Sequence, residues 1–172
     1  MTAESFRKKI RRNYRTDDIT NYIVSFLLLG LGIYFVGKIL HDGLPKVSPA
    51  KYLVILAPAI PVFFGLYAIW RISKDYIVYQ VDSNLTPEEK FKIIDDYLSN
   101  VKVVWRSEEG NCRSYRYENK FWSKVELRFF VDDRKLLYNV IGGNTYALKG
   151  VINFGLTKRA TRRLAQYLNA RL

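Results

Sequence analysis

Two runs without a charged residue constrain the fold of this chain more than any other feature. Each has 19 residues, the first from Ile19 to Gly37 and the second from Tyr52 to Trp70. As a helix, each run is nearly as long as the hydrocarbon core of a bilayer, which is roughly 30 Å thick. Because lipid offers the backbone no hydrogen-bond partners, such runs form helices there. The sequence therefore predicts a transmembrane helical hairpin over residues 19–75, with spans at about 19–40 and 52–73.

Two other interpretations of these runs are disfavoured. Two buried helices of a soluble bundle would normally show a polar stripe, and neither run has one. A cleaved signal peptide would end in a small-residue cleavage site, whereas Lys38 and Ile39 follow the first run. The runs also lack Asp, Glu, Lys, Arg and His, so an ion or proton pathway is not expected.

Basic residues beside the runs predict an orientation. Eight of them flank the hairpin on the side of the chain termini, and three lie in the connection between the runs. The positive-inside rule then predicts a multi-pass protein of the inner (plasma) membrane, with both termini in the cytoplasm. The eight are Arg7, Lys8, Lys9, Arg11, Arg12, Arg15, Arg71 and Lys74, and the three are Lys38, Lys46 and Lys51.

Small residues on the two runs are candidate helix-packing positions. Gly30 and Gly37 share one face of the first helix, and Pro61 and Gly65 lie four residues apart on the second. Small residues let helices approach closely. The two helices could pack on each other through these faces, or the faces could contact a membrane-protein partner or a second copy of the chain. Pro58 and Pro61 predict a kink in the second helix.

Residues 1–18 form a basic arm before the first run. Phe6, Ile10 and Tyr14 recur every four residues, which predicts a short helix with one apolar edge and a cationic remainder. Such a helix suits the anionic cytoplasmic leaflet of a bilayer. Nucleic-acid binding is the competing interpretation, and it is disfavoured because the arm adjoins a predicted span. The candidate residues for an anionic surface are Arg7, Lys8, Lys9, Arg11 and Arg12.

The rest of the chain, residues 85–172, predicts a small cytosolic α+β domain. Thr86, Pro87 and Glu89 have the spacing of a helix start with a capping box. Four stretches of alternating apolar residues follow between about 101 and 140, and a helix then begins near Thr157. The predicted fold is helix, four-stranded antiparallel meander, helix, with both helices on one face of the sheet. Residues 71–84 either extend the second membrane helix or form a strand.

The sequence contains no motif or residue cluster for catalysis. Phosphate-loop, zinc-protease and serine-hydrolase motifs are all missing, and one histidine (His41) with one cysteine (Cys112) excludes the usual zinc sites. Cys112 has no histidine near it in sequence and is interpreted as a packing residue. We therefore predict a protein that is not an enzyme, with no metal and no cofactor.

The last helix carries a second cationic cluster. Lys158, Arg159, Arg162 and Arg163 occur with no acidic residue from 156 to 172, at the end of the helix where the dipole disfavours cations. The cluster suits an anionic bilayer or an acidic protein. Arginines that alternate with Trp105 and Tyr115 on the strands leave a nucleic-acid surface as a further possibility.

Two functions fit these patterns. The first is a non-enzymatic integral membrane protein, an accessory subunit or scaffold whose cytosolic domain binds a partner within a membrane complex. The second is a membrane-anchored binding module for anionic lipid or nucleic acid, which would use the basic C-terminal helix. For that helix the candidate residues are Lys158, Arg159, Arg162 and Arg163.

Two short segments resemble a known type of domain. Phe121, Trp122 and Ser123 with the following strand pair, and the segment from Asn153 to Arg159 before the last helix, are similar to a small α+β domain of bacterial proteins whose function is unassigned. The resemblance covers about residues 86–170 and excludes the two apolar runs. It implies a fold and no functional residue.

Overall fold

A computed structural model describes residues 1–42, 50–118, 124–142 and 156–172 of the protein. The connection between the two apolar runs (43–49) lies outside the described residues, and so do residues 121–123 and 153–155 of the resemblance. The described chain forms two compact units. The first contains residues 1–14 and the described residues from 74 onward, and the second contains residues 15–73.

The second unit is made of two helices. These are α2 (Arg15–Asp42) and α3 (Ala50–Lys74), and α3 continues as one helix through Pro58 and Pro61. In the first unit, α1 (Ala3–Asn13) is followed by β1 (Tyr79–Asp82), α4 (Pro87–Ser99), β2 (Lys102–Glu109), β3 (Cys112–Glu118), β4 (Lys124–Val131), β5 (Lys135–Gly142) and α5 (Leu156–Asn169).

The prediction of a two-span membrane hairpin is wrong. Among the described residues one helix is long and apolar enough to cross a membrane, Asp18–His41, whose most apolar 18-residue window has a mean hydropathy of 2.2. In α3 the side chains of residues 50–56 are not described, and the apolar stretch among the rest, Ala57–Ile72, is shorter than the roughly 20 apolar residues that a span needs. The predicted localisation, a multi-pass inner-membrane protein with both termini cytoplasmic, is overturned by the same finding.

Helices α2 and α3 pack closely at two glycines. A Cβ on Gly65 would lie 2.8 Å from Cγ of Leu29 and 2.9 Å from the backbone oxygen of Ser25. A Cβ on Gly32 would collide with the side chain of Val62. The two helices therefore meet where neither glycine has a side chain to hold them apart.

The sheet of the first unit has five antiparallel strands in the order β1-β5-β4-β3-β2. Strands β2 to β5 form a meander, while β1 pairs with β5 so that Tyr79 lies opposite Tyr138. The sequence predicts four strands, and this count is wrong because the sheet also contains β1. This strand is hard to recognise in the sequence, since it has only four residues and pairs with a strand more than 50 residues later. Residues 71–84 thus end one helix and then form a strand.

Each face of the sheet has its own apolar core. On one face, α4 and α5 contribute Ile94, Leu98, Leu164 and Leu168 to a core that includes Phe129. On the opposite face, α1 buries Phe6, Ile10 and Tyr14 against Tyr76 and strand residues Phe130, Leu137 and Ile141. The first unit therefore has three layers, whereas the sequence predicts a sheet with both helices on one face.

The start of α4 confirms the predicted capping box. The Oγ1 of Thr86 accepts a hydrogen bond from the backbone N–H of Glu89, and the Glu89 carboxylate accepts one from the backbone N–H of Thr86 at 2.8 Å. Two of the orphan N–H donors at this helix start are satisfied within four residues, which is why Thr86, Pro87 and Glu89 suffice to predict where the helix begins.

Candidate anion-binding surface

Four cations project from the first two turns of α5. Lys158, Arg159, Arg162 and Arg163 are all exposed, while Ala160, Leu164 and Leu168 on the opposite side are buried in the core of the sheet. The helical spacing explains this division, because residues three or four positions apart lie on the same side of a helix. We call these four residues the α5 cationic cluster.

Within the described part of the chain, no acidic group forms an ion pair with the α5 cationic cluster. The positive end of the helix dipole lies at the same turns and adds to the repulsion among the four charges. At the other end of α5, by contrast, Arg171 pairs with Asp96, and the Tyr167 hydroxyl donates to the same carboxylate at 2.6 Å. The hydrogen bond from Tyr167 and the nearby Arg171 lower the pKa of Asp96.

The cations of α1 lie elsewhere. Helix α1 packs on the sheet face opposite α5, so the two predicted sets of cations do not form one surface. Lys8 pairs with Glu4 at 3.0 Å, and Lys9 pairs with Glu109 of β2 at 2.8 Å. The other predicted α1 cations, Arg7, Arg11 and Arg12, are exposed.

A buried charge cluster on the α1 side of the sheet was not found by sequence reasoning. Glu126 is buried, and its carboxylate accepts hydrogen bonds from Arg128 at 2.8 Å and Arg116 at 3.0 Å. Burial by itself would raise the pKa of Glu126, but the charge of Arg128 and hydrogen bonds from Tyr14, Arg128 and Arg116 outweigh it and lower the pKa. Burial also raises the pKa of Tyr14. The available signal was the side-chain alternation on β4, which gives Glu126 and Arg128 the same face.

A small cavity of about 110 Å³ lies between α1 and the sheet. Lys9, Asn13, Trp105, Cys112 and Arg128 are among its lining residues. The Cys112 sulfur lies 3.9 Å from Nζ of Lys9, but burial raises the pKa of this thiol, so it is protonated at neutral pH. A protonated thiol is a poor nucleophile, which agrees with interpreting Cys112 as a packing residue.

The predicted helix-packing residues occupy different environments in the second unit. Gly65 lies at the α2–α3 contact, and Pro61 is half-buried. A Cβ on Gly30 or on Gly37 would have no atom within 4 Å, so both glycines face open space. Gly32, which was not singled out in the sequence, provides the second point of contact.

Helix α2 leaves most of its apolar surface uncovered. Phe26, Leu27, Ile33 and Leu40 are 61%, 68%, 67% and 79% exposed. Only 11% of its most apolar 18-residue window is buried. A run of large apolar side chains exposed to this extent marks a surface that meets lipid or another apolar partner.

No protein-family model and no curated protein matches the chain. The apolar surface of α2 and the α5 cationic cluster are the features of the described chain from which a function can be inferred. The cation–carboxylate pairs of α1 and the sheet have an evident structural role.

Proposed function

We propose that the protein is a non-enzymatic accessory or scaffold protein associated with a lipid bilayer. Helix α2 embeds in the bilayer through its apolar surface, and the α+β unit binds a partner that belongs to a membrane complex. The exposed apolar surface of α2 is the observation that carries this proposal.

The free energy of hydration argues for a bilayer around α2. Transfer of apolar surface out of water is favourable by about 25 cal/mol per Å². Transfer of each of the exposed side chains of Phe26, Leu27 and Ile33 into lipid is therefore favourable by about 1–2 kcal/mol. The most apolar 18-residue window of Asp18–His41 has a mean hydropathy of 2.2, and charged residues are concentrated before it in Arg11, Arg12 and Arg15. An apolar helix preceded by cations is the pattern of a membrane-embedded segment.

The packing of α1 argues against a removable signal sequence. Cleavage after α2 would also remove the residues before it, yet Phe6 and Ile10 are 3% and 1% exposed in the core beneath the sheet. Loss of two such side chains would open a cavity in that core. A buried helix of a soluble core is disfavoured by the exposure of α2 itself.

Extraction of the expressed full chain from membranes tests the proposal. We expect the protein to stay in the membrane pellet after washing with alkaline carbonate, which releases peripheral proteins. The double variant Leu27→Asp, Ile33→Asp should move to the supernatant, because an Asp costs about 2.5–3.5 kcal/mol at the centre of a membrane helix. Val104→Asp, which alters an exposed apolar residue of β2, is the matched control and should stay in the pellet.

The result that would contradict the proposal is a wild-type chain released by carbonate as a monodisperse protein. Circular dichroism of the released double variant excludes unfolding as the cause of its release, since Leu27 and Ile33 are exposed and contribute little to the packing of the unit.

A further inference from the structure

We infer that the α5 cationic cluster binds the phosphate headgroups of anionic phospholipids. The inference rests on the proposed function, because chain connectivity then holds the α+β unit close to the bilayer in which α2 embeds. It adds a second, electrostatic contact with a defined lipid class.

The arrangement of charge in α5 supports this contact. All four cations lie on the exposed side of the helix, whereas the buried side carries Ala160, Leu164 and Leu168. The N-terminal turns also present the positive end of the helix dipole, so an anion placed there meets two favourable fields. Each Lys or Arg near an anionic bilayer strengthens the binding of the protein to that bilayer severalfold, and this effect falls off within a Debye length.

The rest of the unit disfavours a nucleic acid as the occupant. A groove for a single strand would need free arginines on the sheet, but Arg116 and Arg128 are used by Glu126. Arg113 is used by Asp95 at 3.2 Å. Helices also cover the inner strands of the described sheet on both faces. The exposed ring of Trp105 lies on the edge strand β2, which is not the continuous stacking platform found in single-strand binders. Four cations on one helix form a compact patch that suits headgroups at a flat surface.

Vesicle binding of the full chain, measured as the ratio of bound to free protein, distinguishes the apolar contact of α2 from the electrostatic contact of the α5 cationic cluster. We would titrate the detergent-purified protein with vesicles of phosphatidylcholine, and with vesicles in which about a third of the lipid is phosphatidylglycerol. Binding to phosphatidylcholine reports the apolar contact of α2. The gain from phosphatidylglycerol reports the cationic contact, and we expect it to be about tenfold or more in low salt and to fall as salt is added.

Two matched variants assign that gain to the cluster. Replacement of Lys158, Arg159, Arg162 and Arg163 by Gln should abolish most of the gain while binding to phosphatidylcholine is unchanged. The control replaces four cations elsewhere by Gln (Lys92, Lys102, Arg134 and Lys135) and has the same net charge. It should keep the gain. Because all four residues of the cluster are exposed, the cluster variant should melt at the same temperature as the wild type. The melting temperature of the control variant is measured as well, because that variant loses the exposed ion pair between Lys102 and Glu118.

Each outcome bears on one contact. Loss of phosphatidylcholine binding with a retained, cluster-dependent gain would overturn the proposed function and support the lipid contact. The inference would be overturned if phosphatidylglycerol did not increase binding of the wild type. It would also be overturned if both variants kept this increase or if both variants lost it. Cluster-dependent binding of a 20-nucleotide single-stranded DNA that is tighter than binding to the anionic vesicles would overturn it in favour of nucleic acid.

Discussion

Phe129 and Phe130 are neighbours on β4 but belong to different cores. Phe129 is fully buried in the core that α4 and α5 cover, whereas the Phe130 ring lies 6.2 Å from the ring of Phe6 in the core beneath α1. Side chains of successive strand residues point to opposite faces, so this pair marks the two faces of the sheet. Helix α1 is thus an integral layer of the unit.

The first prediction tests that layer. Ile10→Ala should lower the free energy of unfolding by about 2–4 kcal/mol, because Ile10 is buried and its truncation leaves a cavity between α1 and the sheet. Urea denaturation followed by circular dichroism measures the effect. Arg12→Ala, on the exposed side of the same helix, is the control and should change the value by less than about 0.5 kcal/mol. Equal effects of the two substitutions would show that α1 is not packed on the sheet.

The second prediction concerns a buried ammonium group. Lys90 of α4 is fully buried, and its Nζ donates to the backbone oxygens of Ser83, Asp132 and Asp133 at 3.0, 2.7 and 2.8 Å. Burial lowers the pKa of Lys90. Lys90→Met keeps the length of the side chain but leaves these three backbone carbonyl groups without this donor.

We expect Lys90→Met to lower the free energy of unfolding by about 2–4 kcal/mol. The same change two residues later, Lys92→Met, alters an exposed side chain and should be close to neutral. Thermal melts of both variants measure the difference. If Lys90→Met melts with the wild type, the ammonium group does not join α4 to the β4–β5 turn.

The third prediction is a pH dependence that originates in Glu126. The pKa of this carboxyl group is lowered in the folded protein, so the folded state binds fewer protons than the unfolded state in acid. Its stabilising contribution is therefore complete above the unfolded pKa, about 4.3, and is lost as the pH falls through the lower, folded pKa.

Glu126→Gln isolates this contribution from that of other acidic residues. At pH 7 the variant should be less stable by about 3–5 kcal/mol, because Arg116 and Arg128 lose their buried anion. At pH 3 the gap should be smaller by about 1–2 kcal/mol, the most that protonation between pH 4.3 and pH 3 can remove. Urea denaturation at several pH values measures the gap, and a gap that stays constant from pH 7 to pH 3 would argue against an ionised Glu126.

The fourth prediction concerns the contact between α2 and α3. Gly65→Ala should lower the melting temperature of the full chain in mild detergent, since the new Cβ would lie 2.9 Å from the backbone oxygen of Ser25. Gly37→Ala meets no atom within 4 Å and should be neutral or stabilising by about 0.5–1 kcal/mol, because Ala favours a helix over Gly. A Gly65→Ala variant as stable as Gly37→Ala would show that the helices do not pack at Gly65.

Local patterns predicted some elements of this fold well. Helix α4 begins with a capping box whose donors and acceptors lie within four residues, so the sequence contains the whole motif. The four-residue strand β1 could not be predicted in the same way. It has no period long enough to detect, and its pairing partner, Tyr138 for Tyr79, is far along the chain.

What the apolar face of a helix packs against is harder to predict from sequence than the existence of that face. The spacing of Phe6, Ile10 and Tyr14 correctly indicates an amphipathic helix, but the same stripe fits a lipid surface or the second face of a sheet. Likewise, no local pattern reports that Lys90 finds carbonyl groups more than 40 residues away. The α5 cationic cluster was predictable because its residues and their helix are contiguous.

A spin label on α2 tests the central claim, association of this helix with lipid, most directly. In a Cys112→Ser background, Leu27→Cys carries a nitroxide in the full chain reconstituted in phosphatidylcholine vesicles, and Val104→Cys on β2 is the reference for a water-exposed site. We predict that the label at residue 27 is relaxed by oxygen, which concentrates in lipid, and protected from a water-soluble nickel reagent. A label at residue 27 that is as accessible to the nickel reagent as the label at residue 104 would contradict the claim.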